Sequence, residues 1–157
     1  MIEVFNNPWL VDFIMVCNQM PPDEREQLCA LTGEEYNHEC AAVGNFTVPG
    51  PKWVIKADGQ PIVVGGFVPQ RPGVYRDFLL TTPQAWTHHW FPVTRICRRL
   101  MDEMLRLPEC HRLECVALGT RTKAFDWYRV LGYTREGVLR GYCANGADAV
   151  IYSRVEH

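Results

Sequence analysis

Seven cysteines are the residues of this 157-residue chain with the most versatile chemistry, because thiols can ligate zinc or form disulfides. Their number is odd, they are scattered among apolar residues, and no C-x-x-C spacing occurs. Two groupings could supply zinc ligands, Cys110–His111 with Cys115 and His38 with Cys40, but neither has the spacing of a common zinc finger. The pattern favours reduced thiols in a cytoplasmic protein and predicts no metal site.

Basic residues offer a second chemistry, which is anion binding. Four arginines recur on the polar face of one predicted helix: Arg95, Arg98, Arg99 and Arg106. They could form a docking surface for an anionic partner. Because Asp102 and Glu103 are interspersed, a solvated face is the favoured interpretation. His88 and His89 precede the same helix, where an anion could sit, although paired loop histidines more often cap a helix or face water.

A short amphipathic helix is predicted near the C-terminus. Four residues share one of its faces, at spacings of one, three and three: Ala124, Phe125, Tyr128 and Leu131. Gly132 follows at the place where a helix ends on a left-handed residue. The aromatic Tyr133 then begins a strand.

The rest of the sequence predicts the elements that must position these side chains. Hydrophobic periodicity and turn residues give the order β, two or three α, β-β-β, α, β, α, β-β. An Asp58-Gly59 turn joins the second and third strands, and Gly65-Gly66 indicates a bulge or a close backbone approach. The fourth strand spans 74–82, and a long helix with a regular apolar stripe ends before Pro108.

The N-terminal part predicts an edge strand followed by helices. The strand runs from Met1 to Phe5, and Asn7-Pro8 begins a helix that continues to about Met20. Asp23 caps a second helix that stops near Thr32-Gly33. A third short helix is expected over 34–43.

The composition indicates one domain, residues 1–157, with 47% hydrophobic residues and enough length to bury a core. Sixteen basic and eighteen acidic residues leave no basic excess of the kind that nucleic-acid binding requires. No apolar run approaches the roughly 20 residues of a membrane helix. The start of the chain lacks the positive region of a signal peptide. We therefore expect no nucleic-acid partner and no membrane span.

The segment from Ala124 to Tyr133 resembles the A-x-x-x-Y-x-x-x-G-[FY] signature of GNAT acyltransferases. The order of elements resembles that superfamily over nearly the whole chain. The resemblance implies an α/β (α+β) fold in which helices flank a central mixed, mostly antiparallel, twisted sheet. It also implies transfer of an acyl group from acetyl-CoA to an amine.

The resemblance gives five residues a role. Tyr128 matches the tyrosine that often protonates the departing thiolate of coenzyme A, and its alternative role is that of a packed aromatic. Asp77 lies on the fourth strand, where the family often places a carboxylate base. A solvated carboxylate is the favoured interpretation there, because no acidic neighbour would raise its pKa. Leu80, Thr81 and Arg95 would contact coenzyme A.

The cofactor loop departs from the family pattern. In GNAT enzymes the fourth strand leads into [QR]-x-x-G-x-[GA], whose glycines let the backbone approach the pyrophosphate of coenzyme A. With the long helix aligned on Leu100, the three signature positions hold Pro92, Arg95 and Cys97. Proline has no N–H, and an arginine side chain fills space that the phosphates need, although its guanidinium can bind phosphate. No cofactor is expected unless the protein is an active enzyme, in which case it would use acetyl-CoA.

A narrower resemblance concerns a phage and prophage family that includes the small internal virion proteins of short-tailed phages. It rests on four segments: 20–26, 32–33, 64–67 and 78–86. The resemblance implies a location in the virion or the host cytoplasm, with other virion proteins or a host protein as partners. The aromatics Trp53, Trp86 and Trp90 could anchor such a partner or fill a splayed sheet.

Three functional hypotheses follow. The favoured one is a virion-associated internal or assembly protein on a GNAT-like scaffold with a degenerate coenzyme A loop. The alternative is an active acetyl-CoA-dependent N-acetyltransferase acting on a host protein or a small amine. The third is a non-catalytic inhibitor of a host protein.

Overall fold

A computed structural model describes residues 1–156, which form a seven-stranded sheet in the order β1-β2-β3-β4-β5-β7-β6. The strands are β1 (Ile2–Phe5), β2 (Lys52–Ala57), β3 (Gln60–Arg71), β4 (Gly73–Thr81), β5 (Cys110–Leu118), β6 (Thr134–Leu139) and β7 (Ala149–Val155). The helices are α1 (Leu10–Asn18), α2 (Pro22–Thr32), α3 (His38–Phe46), α4 (Pro83–Thr87), α5 (Trp90–Leu105) and α6 (Thr122–Val130). Neighbouring strands are antiparallel except for the parallel pair β4–β5. The predicted fold class is confirmed.

The starts of the first two helices differ from the prediction. Trp9 occupies the N-cap position of α1, and its N–H donates to the Asp12 carboxylate at 2.8 Å. Asn7 is therefore not the cap. Helix α2 begins directly at Pro22, whose fixed φ suits the first helical position. Asp23 lies inside the first turn, where a carboxylate favours the positive end of the helix dipole.

Two more helices correct the prediction. Helix α3 lies over 38–46 instead of 34–43, because the Asn37 side chain accepts a hydrogen bond from the Cys40 N–H at 3.0 Å and fixes its start. Helix α4 was not predicted. It begins where Thr82 is followed by Pro83, and its five residues are too few to show a helical period.

The sheet is covered on both faces, and the predicted apolar stripes supply much of the cover. Helices α5 and α6 pack on one face, and α1 and α3 pack on the other. The stripe of α5 is buried from Val93 to Leu105, whereas all four arginines of its polar face are exposed. Of the four residues predicted to share a face of α6, Phe125, Tyr128 and the C-cap Leu131 are buried and Ala124 is half-buried. Gly132 takes the left-handed conformation at φ 93°.

The cysteines are free thiols, and five of the seven are buried. Burial raises the pKa of the Cys97 and Cys115 thiols, which keeps them protonated. Within residues 1–156, no group of three potential metal ligands occurs. In the same part of the chain, no helix combines the length and the apolar character needed to cross a membrane.

The two glycines of β3 mark a close approach and not a bulge. Gly65 and Gly66 keep regular pairing with both neighbouring strands, and the irregularity on the β2 side lies between Ile55 and Lys56. A Cβ built on Gly65 would lie 2.5 Å from Cζ2 of Trp53 and 2.7 Å from a main-chain oxygen. The Trp53 ring therefore occupies the space of the missing side chain.

We predict that Gly65→Ala lowers the free energy of unfolding by about 1–3 kcal/mol, because the methyl group overpacks this site. Gly137→Ala is the matched control in β6, since a Cβ there meets nothing within 4 Å. It should change stability by less than about 0.5 kcal/mol. Urea unfolding of both variants measures the difference, and equal midpoints would contradict the close approach.

Candidate active site

Strands β4 and β5 are paired over only part of their length. Their ladder runs from Gly73↔Cys110 to Arg76↔Glu114. Beyond that pair, β4 continues to Thr81 and β5 to Leu118, and no ladder joins them in the described chain. Each strand is still paired with its other neighbour. The two facing edges therefore direct main-chain N–H and C=O groups that no strand pairs into the gap.

An ion-pair cluster holds the strands together where they begin to separate. The Glu114 carboxylate accepts from Arg76 at 2.8 Å and from Arg112 at 3.1 Å. Although burial opposes ionisation, these hydrogen bonds lower the pKa of Glu114 below its ordinary value. The last ladder pair is thus also a charged side-chain pair, and it fixes the closed end of the gap.

The gap between β4 and β5 forms part of a cavity of about 1300 Å³. Its walls come from β4, β5, α2, the β5–α6 loop, α6 and the α4–α5 region. The polar and aromatic side chains that concern the chemistry are Glu24, Asp77, Thr81, Trp86, Trp90 and Tyr128. The two tryptophans line the cavity without closing it. A cavity of this size accommodates an extended small molecule.

Helix α2 bridges the two separated strands. Glu24 accepts a hydrogen bond from the Thr81 hydroxyl at 2.5 Å, at the end of β4. Gln27 accepts from the Leu118 N–H at 2.9 Å and from Arg121 at 2.9 Å, at the end of β5. These bonds set the width of the open end and make α2 one wall of the cavity.

Glu24 and Gln27 were not predicted as site residues from the sequence. A signal was available, since Glu24, Gln27, Leu28 and Leu31 follow the spacing of one helix face and all four line the cavity. Two polar side chains on the same face as two leucines indicate a face that is covered but needs hydrogen-bond partners. Those partners lie 57 and 91 residues away, beyond the reach of local patterns.

Asp77 lies next to the closed end of the gap. It is only 8% exposed, and the Tyr133 hydroxyl donates a hydrogen bond to its carboxylate. Burial raises its pKa to about 7, although Tyr133 and Arg76 oppose the shift. The expectation of a solvated strand carboxylate was wrong, because the Asp77 carboxyl is buried. Burial is the largest cause of the raised pKa, and the charge of Glu114 also raises it.

Glu24 has a similar environment at the open end. It is 7% exposed, and burial raises its pKa to about 7 against the hydrogen bond from Thr81 and the charge of Arg121. The cavity therefore contains two carboxyl groups that change their ionisation near neutral pH.

Tyr128 is a packed aromatic and a cavity residue at the same time. Its ring centroid lies 5.4 Å from that of Tyr152 and 6.2 Å from that of Tyr133. Burial raises the pKa of its hydroxyl well above 10, so the group keeps its proton at neutral pH. The structure thus places the candidate proton donor and the candidate base, Asp77, along one cavity.

The three residues predicted to contact coenzyme A separate into two places. Leu80 and Thr81 line the cavity, but the Thr81 hydroxyl is already engaged, since it also accepts from the Trp86 indole N–H at 2.8 Å. Arg95 lies outside the cavity lining. It is exposed, and its guanidinium lies 5.8 Å from the ring centroid of Phe91.

The predicted pyrophosphate loop is not a loop. Helix α5 begins at Trp90, so Pro92, Arg95 and Cys97 all lie inside it, and Cys97 is fully buried. Pro92 is tolerated as the third helical residue because N–H groups in a first turn have no partner within the helix. His88 and His89, before the helix, do not line the cavity.

No family model matches the sequence, and no curated protein matches it. Solved structures match it over almost its full length. A ribosomal L7/L12 α-N-protein acetyltransferase, solved with coenzyme A, matches with a TM-score of 0.74 and 13% identity over 99% of this chain and 94% of that chain. The chain has the GNAT fold.

Two further structures agree. A GNAT-family acetyltransferase from Bacillus anthracis matches with a TM-score of 0.74 and 9% identity, covering 98% of this chain and 94% of that chain. The aminoglycoside acetyltransferase AAC(6')-Ib, solved with coenzyme A, matches with a TM-score of 0.70 and 14% identity over 99% and 95% of the two chains. At these identities the likeness concerns the fold alone.

Because the pKa values of the two buried carboxyl groups are raised, we predict that the protein loses stability as pH rises. For Glu24 the folded-state pKa, about 7, lies above its ordinary value of 4.5, so folding favours the protonated form. That stabilisation is complete below the ordinary pKa and disappears as pH rises through about 7, and Asp77 acts in the same direction.

The free energy of unfolding should therefore fall from about pH 5 to about pH 8, and Glu24→Gln should remove about 1 kcal/mol or more of that fall. Glutamine can still accept from Thr81 but does not ionise. Glu26→Gln, at an exposed position of the same helix, is the control and should leave the slope as it is. Denaturant unfolding across this range measures the slopes, and the same slope in Glu24→Gln would show that Glu24 is ionised throughout.

Proposed function

We propose that this protein is an N-acyltransferase that transfers an acyl group from a pantetheine thioester to an amine in the cavity between β4 and β5. The observation that carries the proposal is the placement of a buried carboxyl group, Asp77, and a protonated phenol, Tyr128, along a gap with unpaired main-chain amides. The fold of known acetyltransferases supports it, and two of those compared were solved with coenzyme A.

Asp77 acts as the base. An amine attacks a thioester only in its neutral form, so its proton must be removed before or during attack. A carboxyl group with a pKa of about 7 is half ionised at neutral pH and basic enough to take that proton. The Tyr133 hydroxyl holds the carboxylate in place as the amine arrives.

The gap supplies the other two requirements of acyl transfer. Unpaired N–H groups of β4 in the stretch that ends at Leu80 and Thr81 polarise the thioester carbonyl. The carbon–nitrogen bond then forms as the carbon–sulfur bond breaks. Tyr128 gives its proton to the departing sulfur, and Asp77 takes the N–H proton that the neutral amine loses as the amide forms. Transfer of that proton from Asp77 to the Tyr128 phenolate then restores both groups.

The residues fit one part of coenzyme A and not another. The amides of a pantetheine arm can pair with the unpaired edges of β4 and β5 in the way that a peptide pairs with a sheet edge. At the start of α5, where the diphosphate would lie, Pro92 offers no N–H and Trp90 and Phe91 are bulky. The cavity is therefore matched to the thioester arm.

The virion-associated role and the host or virion partners stay predictions from short sequence segments. They do not conflict with acyl transfer, since a packaged protein can be an enzyme. Detection of the protein in washed particles would support that role, and its restriction to infected-cell lysate would oppose it. The acceptor class, a host protein or a small amine, likewise stays a prediction.

We predict that Asp77→Asn lowers kcat/KM by about a hundredfold or more and abolishes the rise of kcat/KM with pH near 7, because asparagine cannot take a proton. Thiol release from acetylpantetheine, in the presence of lysine-containing peptides or polyamines, measures the rate. Asp126→Asn, at an exposed position of α6, is the control and should behave as the unchanged protein does. A pH profile that survives in Asp77→Asn would assign the base to another group.

We predict that Tyr128→Phe lowers kcat by about tenfold or more while thermal stability stays close to that of the unchanged protein. The phenylalanine ring keeps the packing against Tyr133 and Tyr152 and loses only the proton donor. Tyr75→Phe, on β4 outside the cavity lining, controls for the loss of a tyrosine hydroxyl. An unchanged kcat would leave Tyr128 as a packing residue.

A further inference from the structure

We propose that the acyl donor is a carrier protein that presents the acyl group on a phosphopantetheine arm and docks on a basic surface beside the cavity. This surface, the basic end, consists of residues 83–101 and 119–125. The inference rests on the proposed acyl transfer and names the donor for it.

The number of phosphates distinguishes coenzyme A from a carrier-bound arm. Coenzyme A carries a diphosphate and a third phosphate, and a fold can bind a diphosphate by letting small residues bring main-chain N–H groups close to it. From Pro83 through Leu118 this chain has no glycine, and Pro92 removes an N–H from the first turn of α5. A carrier-bound arm has one phosphate, which stays at the protein surface and needs no such cradle.

The charge of the basic end differs from that of the whole chain. The basic end contains five basic residues and no acidic ones, whereas the whole chain has a net charge of −2. They are Arg95, Arg98, Arg99, Arg121 and Lys123. Arg121 is engaged by Asp23 at 3.2 Å and by Gln27. A positive region on an otherwise acidic chain steers and orients an acidic partner.

The row of arginines on α5 extends beyond the cavity. Arg95, Arg98 and Arg99 are exposed along the outer face of α5 and do not line the cavity. Arg98 donates to the Val130 carbonyl at 3.1 Å, so the row extends to the end of α6. The phosphates of a small molecule in the cavity would not need a row that runs away from it along the helix. An acidic protein surface can cover the whole row.

Acidic groups leave most of this row uncompensated. Glu103 meets Arg99 at 3.7 Å, Asp102 is taken by Arg154 at 2.6 Å, and Asp126 is taken by Arg129. Arg95 is left facing only the Phe91 ring among the contacts of the described residues. The free positive charge is therefore largest near the start of α5, next to the cavity.

Two exposed aromatic residues lie at the start of α5. Trp90 is 43% exposed and also lines the cavity, and the adjacent Phe91 is 64% exposed. They lie between the cavity and the arginine row. Tryptophan and arginine contribute more than most residues to the energy of protein interfaces. A carrier protein would contact them at the point where its arm enters the cavity.

The experiment compares three probes by isothermal titration and fluorescence anisotropy: a phosphopantetheinylated acyl carrier protein, the same carrier without its arm, and coenzyme A. The carrier with its arm should bind at least about tenfold more tightly than either other probe. Arg95→Glu/Arg99→Glu should weaken that binding by about tenfold or more and reduce its salt dependence. Neither arginine donates a hydrogen bond to the main chain within the described residues, so the fold should persist.

Arg106→Glu is the matched control, since Arg106 is exposed at the end of the same helix and lies outside the basic end. It should change carrier affinity by less than about twofold. Tighter binding of coenzyme A than of the carrier, or equal carrier affinity in the double variant, would overturn the inference.

Acetylpantetheine separates this failure from failure of the proposed function, because it has neither phosphates nor a protein surface. If it acylates amines while the acetylated carrier reacts with the same kcat/KM in the double variant as in the unchanged protein, acyl transfer stands and the carrier inference falls. If none of the three thioesters reacts, both fall together.

Discussion

The separation of β4 from β5 beyond the Arg76–Glu114 pair is the constraint on which the site depends. A ladder that continued to the ends of both strands would satisfy their main-chain groups and leave no gap. Instead, the ion-pair cluster closes one end, and α2 holds the other end open through Glu24 and Gln27. The protein leaves main-chain groups unpaired at this place, and those groups can bind a ligand with amides of its own.

The same gap sets the proton chemistry. Burial raises the pKa of Asp77 to about 7, which makes it a usable base, and raises the pKa of the Tyr128 hydroxyl, which keeps it a donor. One environment thus produces an acceptor and a donor from two groups whose ordinary pKa values lie far apart.

Patterns within one element were predictable from the sequence, and contacts between distant elements were not. The stripe of α5, the face of α6, the Asp58-Gly59 turn and the order of strands follow from local periodicity and turn residues. The burial of Asp77 depends on Tyr133, 56 residues later, and the role of Glu24 depends on Thr81. The motif pointed to Tyr128, but only the folded chain shows that Tyr128 and Asp77 line the same cavity.

The lack of a glycine loop and the proposed acyl-transfer site are compatible because a thioester donor has two ends. The reacting end needs a base, an acid and polarising amides, and the groups proposed for these roles lie inside the gap. The other end needs only to be held, and its binding residues can change without altering the chemistry. In this chain helix α5 offers arginines and exposed aromatics where a diphosphate would need a bare backbone. Under the proposed function, the absence of the glycine loop concerns how the donor is held and does not argue against catalysis.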